Sequence, residues 1–436
     1  MKILVFAHEF HVGGSQRNAV DLSAALRDIY GCDVVIFATP GPMVTVAEEK
    51  GLRFISAPDR KTIPSLAMMR ALCEVVRRER PDLVHVWDWW QCVDAYYAVH
   101  LLKRIPMIVS DTLSDGLTRL LPKTLLTTFG TPEFVDQARA AGRQRVELLV
   151  PPVDVDANAP GGADPRPFRD QYNIEASDVT LVTVSRLAMK LKGESLRRTI
   201  DAVRVLGRDL RLRLVIVGDG NARNELERLA AEANTEIGRA AVILTGELLD
   251  PRPAYAAADI VVGMGGSALR GMAFGKPVII VGGEGFSAPL TPQTAEAFYY
   301  RGIYGIGDGS PSNARLIADI RDLAESSDKL PMLGAFSRQF VVNHFALGKV
   351  CADLEKLCRA AVAEKRRPFL AAVDGLRTAA LLQFGKLTPD SFRRLVKSRE
   401  TRKASIANRR SEPHSTRPSS EEWGWRQSSP PRSLDR

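Results

Sequence analysis

The sequence predicts an α/β protein of two facing, Rossmann-like, doubly wound domains, followed by C-terminal helices and a basic tail that reads as disordered. Three observations carry that expectation. Short β-branched apolar runs alternate with segments of helical length, twice over, as βαβ units with parallel sheets require. Residues 151–167, dominated by Pro, Gly and Asp, separate the two series. The 436 residues exceed one ordinary core, and 45% hydrophobic with 25% charged residues is the balance of a globular chain. The predicted division is therefore a first domain over 1–150, a linker over 151–175, a second domain over 176–330, helices over 331–390 and the tail over 391–436.

In the first domain, strands are expected at 3–7, 34–38, 54–56, 83–86 and 107–110, with helices near 16–30, 44–50, 65–80 and 91–104. Residues 113–123 read as an amphipathic segment with Arg119 and Lys123, and 146–150 as a last apolar run. The second domain repeats the grammar, with strands at 180–184, 214–217, 242–244 and from Asp259, and helices after Gly193, at 223–233, at 253–258 and near 313–326. Beyond Pro331 the pattern is helical, at 335–345, at 347–362 with an interruption near Gly348, and at 369–384. Cys351 and Cys358 lie one heptad apart, which suits a packing face.

The formal charge of +9 is unevenly placed: residues 391–436 hold 12 Lys/Arg against 5 Asp/Glu, leaving +2 for the rest. The folded part is near neutral, so its charge gives no argument for a nucleic-acid partner. Cys32, Cys73, Cys92, Cys351 and Cys358 are odd in number and form no CxxC pair, which favours a reducing compartment without disulfides or structural zinc. The opening apolar run is too short for a signal peptide, and no later segment is long enough to cross a bilayer. The expected location is cytoplasmic, with peripheral attachment at the inner membrane face through the basic segment 391–403 as the alternative to a solvated tail.

Chemistry is expected at the carboxyl edges of such sheets. Residues 259–285 read as strand, glycine loop, helix and strand, and a helix starting on Ser267 would aim the N–H groups around Gly265, Gly266, Ser267 and Ala268 into one anion-binding space. Arg186 and Lys192 flank the loop after the strand at 180–184, where fixed cations could stabilise a diphosphate leaving group. Gly13 and Gly14, with Ser15 as N-cap, form either a loop that closes on a ligand or an ordinary βα turn. Trp87, Trp89 and Trp90 around Asp88 are either a stacking wall for an acceptor sugar or core aromatics. His85 reads as a core histidine.

Several familiar chemistries have no motif here. The chain has no GxxxxGK[ST], no HExxH and no GxSxG, and no His/Cys/Asp cluster with metal spacing. Gly263-Met264-Gly265 followed by Ala268 satisfies GxGxxA, with Glu284 about twenty residues on, and supports an NAD(P)-binding oxidoreductase as the alternative enzyme.

The order of Gly13-Gly14, Pro81-Asp82, Pro151-Pro152-Val153-Asp154, Ser185-Arg186-Leu187, Lys192-Gly193, Gly218-Asp219-Gly220, Thr245-Gly246, Ala258-Asp259 and Met272-Ala273-Phe274-Gly275-Lys276-Pro277-Val278 resembles the family-4 glycosyltransferases over about residues 1–365. The resemblance implies the GT-B fold and a retaining enzyme that takes a nucleotide-sugar donor without a metal or other cofactor. It implies that Arg186 and Lys192 contact the donor diphosphate, that Gly246, Glu247 and Leu248 lie near the base with Gly218 on the donor side, and that Gly13 and Gly14 close on the phosphates. Trp87, Asp88, Trp89, Asp111 and Thr112 then fall on the acceptor side. Of the family's paired glutamates, the one on the helix is Arg270 here, and the loop 263–267 is too short for the other. The family's active-site histidine, expected in the loop after residues 107–110, is missing here, with Asp111 or Thr112 near its place, and Glu284 is expected to replace a lost carboxylate at the ribose or sugar. A catalytically silent GT-B protein that binds a saccharide or a partner enzyme is the third reading.

Overall fold

The structure, a computed structural model, describes residues 1–7, 9–111, 120–189, 192–326, 328–365 and 367–387. Thr112, most of the segment 113–123, and the tail from 391 lie outside the described residues. Residues 1–378 form one compact unit; Ala379–Arg436 form a second, of which the described part continues the last helix.

Seven strands build the first sheet: β1 (Lys2–Phe6), β2 (Asp33–Ala38), β3 (Arg53–Ser56), β4 (Leu83–Trp87), β5 (Met107–Asp111), β6 (Leu126–Phe129) and β7 (Val146–Leu148). They are parallel throughout, in the order β3-β2-β1-β4-β5-β6-β7. The crossovers carry α1 (Gly14–Tyr30), α2 (Met43–Glu49), α3 (Leu66–Glu79), α4 (Trp89–Ala95) and α5 (Pro132–Ala140). After α4 the backbone widens into a π-helical stretch, Tyr96–Leu101, where the sequence predicts one continuous helix.

A short helix α6 (Arg166–Gln171) begins inside the predicted linker. The second sheet then comprises β8 (Val179–Val184), β9 (Leu212–Val217), β10 (Val242–Gly246), β11 (Ile260–Gly263), β12 (Val278–Val281) and β13 (Ser287–Pro289), in the order β10-β9-β8-β11-β12-β13. Among the described residues of this sheet, only the pair β12–β13 is antiparallel. Its helices are α7 (Gly193–Leu206), α8 (Arg223–Ile237), α9 (Arg252–Ala257), α10 (Gly266–Ala273), α11 (Ala295–Arg301) and α12 (Ala314–Glu325).

The chain then crosses back. Helices α13 (Lys329–Phe345) and α14 (Leu347–Ala363) meet at Ala346, two residues before the glycine where the sequence suggests a break. Val153 N–H donates to Phe345 O at 2.8 Å and Leu347 N–H to Val153 O at 2.8 Å, which seams this corner to the start of the linker. Cys351 and Cys358 are buried where α14 packs on α1. The last helix, α15 (Pro368–Leu387), sets its first turns against the π-helical stretch. One apolar cluster runs from Ile3 and Val5 of β1 to Val182 of β8 and Val261 of β11, so the two sheets share core.

Candidate active site

In each sheet the strand order reverses once, between β1 and β4 and between β8 and β11. Loops leave these strands in opposite directions at their carboxyl ends, which opens a crevice there. The residues concerned are 185–189 and Lys192 after β8 and 263–266 after β11, with residues 9–13 and Asp88 at the corresponding points of the first sheet.

The β8 loop is fixed by close backbone packing. A Cβ on Gly218 would lie 1.9 Å from Ser185 O, and one on Gly220 2.5 Å from Leu187 O, so both positions admit only glycine, at φ of 139° and 153°. Leu187 N–H donates to Asp219 O and Ala222 N–H to Leu187 O, both at 2.9 Å. This lacing holds Arg186 exposed and Lys192, at the start of α7, half-buried. Burial, then the Arg186 charge, pulls the Lys192 ammonium down to a pKa of about 8. Neither side chain has a hydrogen bond or ion pair among the described residues.

The β11 loop turns at Gly265, φ 55°, whose N–H donates to Ile303 O at 2.6 Å. Helix α10 starts at Gly266, one residue ahead of the predicted Ser267, and has no side-chain cap. Ser267 Oγ donates to Met264 O at 2.9 Å, and Ala268 is fully buried, so these two offer the site backbone rather than side chain. A Cβ on Gly271 would stand 2.7 Å from Val261 Cγ1, which is why α10 lies so close to β11. Arg270 Nη1 folds back to Gly266 O at 3.3 Å, placing its guanidinium at the open first turn of α10.

Across the crevice, α1 begins after Gly13 and not after Ser15, which lies inside its first turn. Its start also has no side-chain cap, while Gln16 Nε2 donates to Glu9 O at 2.8 Å and ties the loop down. Arg17 follows one turn into the helix. Burial and then the charge of Arg270 lower its pKa, against Asp21 and Asp250, which raise it, so a cation of the first half lies within electrostatic reach of one of the second. The Arg17 side chain makes no hydrogen bond or ion pair among the described residues, while its backbone N–H donates to Gly13 O at 3.0 Å. In the sequence Arg17 belongs to no motif, and its one signal is a basic residue one turn after a Gly-Gly loop.

The other candidates are more dispersed. Gly246 accepts from Gly218 N–H at 2.8 Å beside the β8 loop; Glu247 is exposed and Leu248 packs on the core. Glu284 is exposed in a turn at φ 53°, and its N–H and that of Gly285 donate to the Glu194 carboxylate at 3.0 and 2.7 Å. Glu194, in the first turn of α7, is a second residue with no motif to mark it in the sequence. Trp87 differs from a stacking wall: it is 2% exposed and packs against His85 with ring centroids 5.2 Å apart, because it ends a buried strand. Trp89 is half-buried against Trp90, Asp88 is buried with a left-handed backbone at φ 66°, and Asp111 is buried at the end of β5. His85 donates to or accepts from Ser110 Oγ at 2.8 Å inside the sheet, and burial lowers its pKa to about 3, so it stays neutral. Among the described residues, no group of three His, Cys, Asp or Glu could hold a metal ion.

Residues 178–298 match the family model described as glycosyl transferases group 1, and residues 12–111 the one described as glycosyltransferase family 4. No curated protein sequence matches the chain. Among solved structures, a glycosyltransferase from Rickettsia africae ESF-5 is similar at 15% identity and a TM-score of 0.66, over 84% of this chain and 99% of that one. HepE from Anabaena, solved in complex with UDP, is similar at 17% identity and a TM-score of 0.65, over 83% and 100%. Sucrose-phosphate synthase from Thermosynechococcus elongatus is similar at 15% identity and a TM-score of 0.61, over 83% and 100%. At these identities the likeness is one of fold.

Proposed function

Because the chain belongs to the family-4 glycosyltransferases of GT-B fold, we propose that it moves a hexose from a nucleotide-sugar to a saccharide or lipid-linked saccharide, with retention at the anomeric carbon. The observation that carries this is the gathering of Arg186, Lys192, Arg270 and Arg17 at the two switch points, none of them in a salt bridge among the described residues, with Asp21 and Asp250 offsetting part of the charge at Arg17. Like charges gathered near uncapped helix starts, with Lys192, Arg270 and Arg17 half-buried and Arg186 exposed beside them, are unfavourable alone and become favourable with a polyanion between them. A nucleoside diphosphate fits that charge. HepE was solved with UDP, with UDP and glucose, and with UDP-glucose, which supports a uridine nucleotide first in any trial.

In the proposed reaction the bond between the anomeric carbon and the β-phosphate oxygen breaks, and the acceptor hydroxyl oxygen bonds to that carbon on the same face. The acceptor proton passes to the departing phosphate, so no protein nucleophile is needed. Lys192 and Arg186 stabilise charge growing on the diphosphate, the first-turn N–H groups of α10 add fixed donors, and Arg270 supplies a further cation where relatives carry a glutamate. These groups provide the positive charge that a metal would, hence the proposal of a metal-independent, cofactor-free enzyme. Glu284 is proposed to contact the ribose or sugar, and Glu284→Gln leaving donor affinity and turnover unchanged would remove it from that role. We place the reaction in polysaccharide or glycoconjugate synthesis, in the cytoplasm or at the inner face of its membrane.

A panel of nucleotide-sugars and saccharide acceptors, with products read by intact mass, tests the activity. Transfer from one donor is expected, and Arg186→Ala or Lys192→Ala should lower it by about a hundredfold or more. Background rates with every donor would leave the silent saccharide-binding reading in its place.

A further inference from the structure

Helix α15 is inverted in polarity over its first turns. Ala371, Asp374, Gly375 and Thr378 face the protein, whereas Phe369, 77% exposed, Leu376, 73% exposed, Leu370 and Val373 face away from it. The inward side is held by polar bonds: Tyr96 Oη donates to Ala371 O at 2.7 Å, Tyr97 Oη to Gly375 O at 2.8 Å, and Thr124 N–H to Asp374 Oδ2 at 2.8 Å. Arg377 Nη2 donates to Leu121 O at 3.0 Å. A Cβ on Gly375 would lie 3.0 Å from Leu101 Cδ1, so the helix packs tightly on the π-helical stretch at this glycine. Polar bonds thus fix the helix and leave its large apolar side chains uncovered, the reverse of a surface helix packed on a core.

The surface next to this face is cationic. Leu102, 70% exposed, follows the Leu101 contact and leads into Lys103, which with Arg77 and Arg80 lines a cavity of about 390 Å³. Arg80 and Lys103 precede β4 and β5, so the cavity lies at the amino edge of the sheet, opposite the candidate active site. Asp374 is the only carboxylate in residues 365–378, and it points inward onto Thr124 and Arg377.

We propose that this face docks on the surface of a bilayer carrying anionic phosphate headgroups. Phe369, Leu370, Val373 and Leu376 enter the boundary between headgroups and acyl chains, while Arg77, Arg80 and Lys103 take the headgroup phosphates. Apolar insertion beside several cations is the combination that makes interfacial binding stable, since either signal alone is weak. A symmetric second copy fits less well, because a two-fold contact would bring like cations together. No described helix is long and apolar enough to cross a membrane, so α15 lies on the surface.

The test is flotation of the full chain with vesicles of phosphatidylcholine alone or mixed with phosphatidylglycerol. The wild type is expected to float with the mixed vesicles. Phe369→Ser with Leu376→Ser, and separately Arg77→Gln with Lys103→Gln, should each lower partition by about tenfold or more, with thermal midpoints near wild type because the changed atoms face outward. Three results would overturn the proposal: no flotation of the wild type with mixed vesicles, wild-type flotation of the apolar double variant, or a solution dimer that the same variant dissolves.

Discussion

At Lys192 the ammonium keeps its charge only up to about pH 8, because burial strips water from it and Arg186 adds a like charge. The diphosphate needs the protonated form, so the dissociation constant of a nucleoside diphosphate should rise as pH goes from about 7 to about 9.5. Lys192→Arg should flatten that rise, since a guanidinium stays charged throughout. Stability moves the other way. An unfolded lysine titrates near 10.5, so between about 8 and 10.5 the unfolded chain holds more protons and stability increases with pH. Gly218→Ala is a separate matter of space: with Ser185 O only 1.9 Å from the new Cβ and φ at 139°, the variant should lose at least about 2 kcal/mol by denaturant midpoint. Arg186 and Lys192 were legible because a cation beside a strand end needs no context to be noticed. Arg17 and Glu194 were not, for their importance lies in which distant residue stands opposite.

Helix α7 and the turn after β12 are latched by the Glu194 carboxylate, which accepts from two backbone N–H groups and also sits at the positive end of its helix. Glu194→Ala leaves both donors without that acceptor and should cost about 1–3 kcal/mol, read from thermal or chemical unfolding. If Glu284 works at the sugar, the same variant should also weaken donor binding, because the turn that presents Glu284 is released. Among elements, the long apolar runs declared themselves and the polar ones did not. Strand β6 reads Leu126-Thr127-Thr128-Phe129 and was passed over; its threonines are buried only because Ser110 Oγ and Arg143 Nη1 bond them, at 2.8 and 3.4 Å. Helix α5 carried its own start signal, Thr131 accepting from Phe134 N–H with Pro132 in the first turn, which the reading did not use. Strand β13 is three residues long, below what a pattern can reveal.

At the scale of the molecule, the doubled β/α grammar made the two sheets legible, since period and spacing are local properties of sequence. The return of α14 onto α1 was less so: the heptad of Cys351 and Cys358 promised a packing face without saying which helix would fill it. The two sheets share core, and the charge of Arg270 reaches Arg17 from the other half. Arg17→Ala should therefore weaken nucleoside diphosphate binding by about tenfold, even though Arg17 belongs to the other sheet from Arg186 and Lys192, as the loss of one charge-assisted contact does. An unchanged affinity would mean that the first half does not reach the phosphates.

The most direct test of the diphosphate site is calorimetric titration of the full chain with UDP, GDP and NAD, alongside Lys192→Ala. Binding of UDP or GDP that Lys192→Ala weakens by about tenfold or more is expected, with no binding of NAD. Binding of NAD in place of UDP and GDP, or a nucleotide affinity indifferent to Lys192, would contradict it.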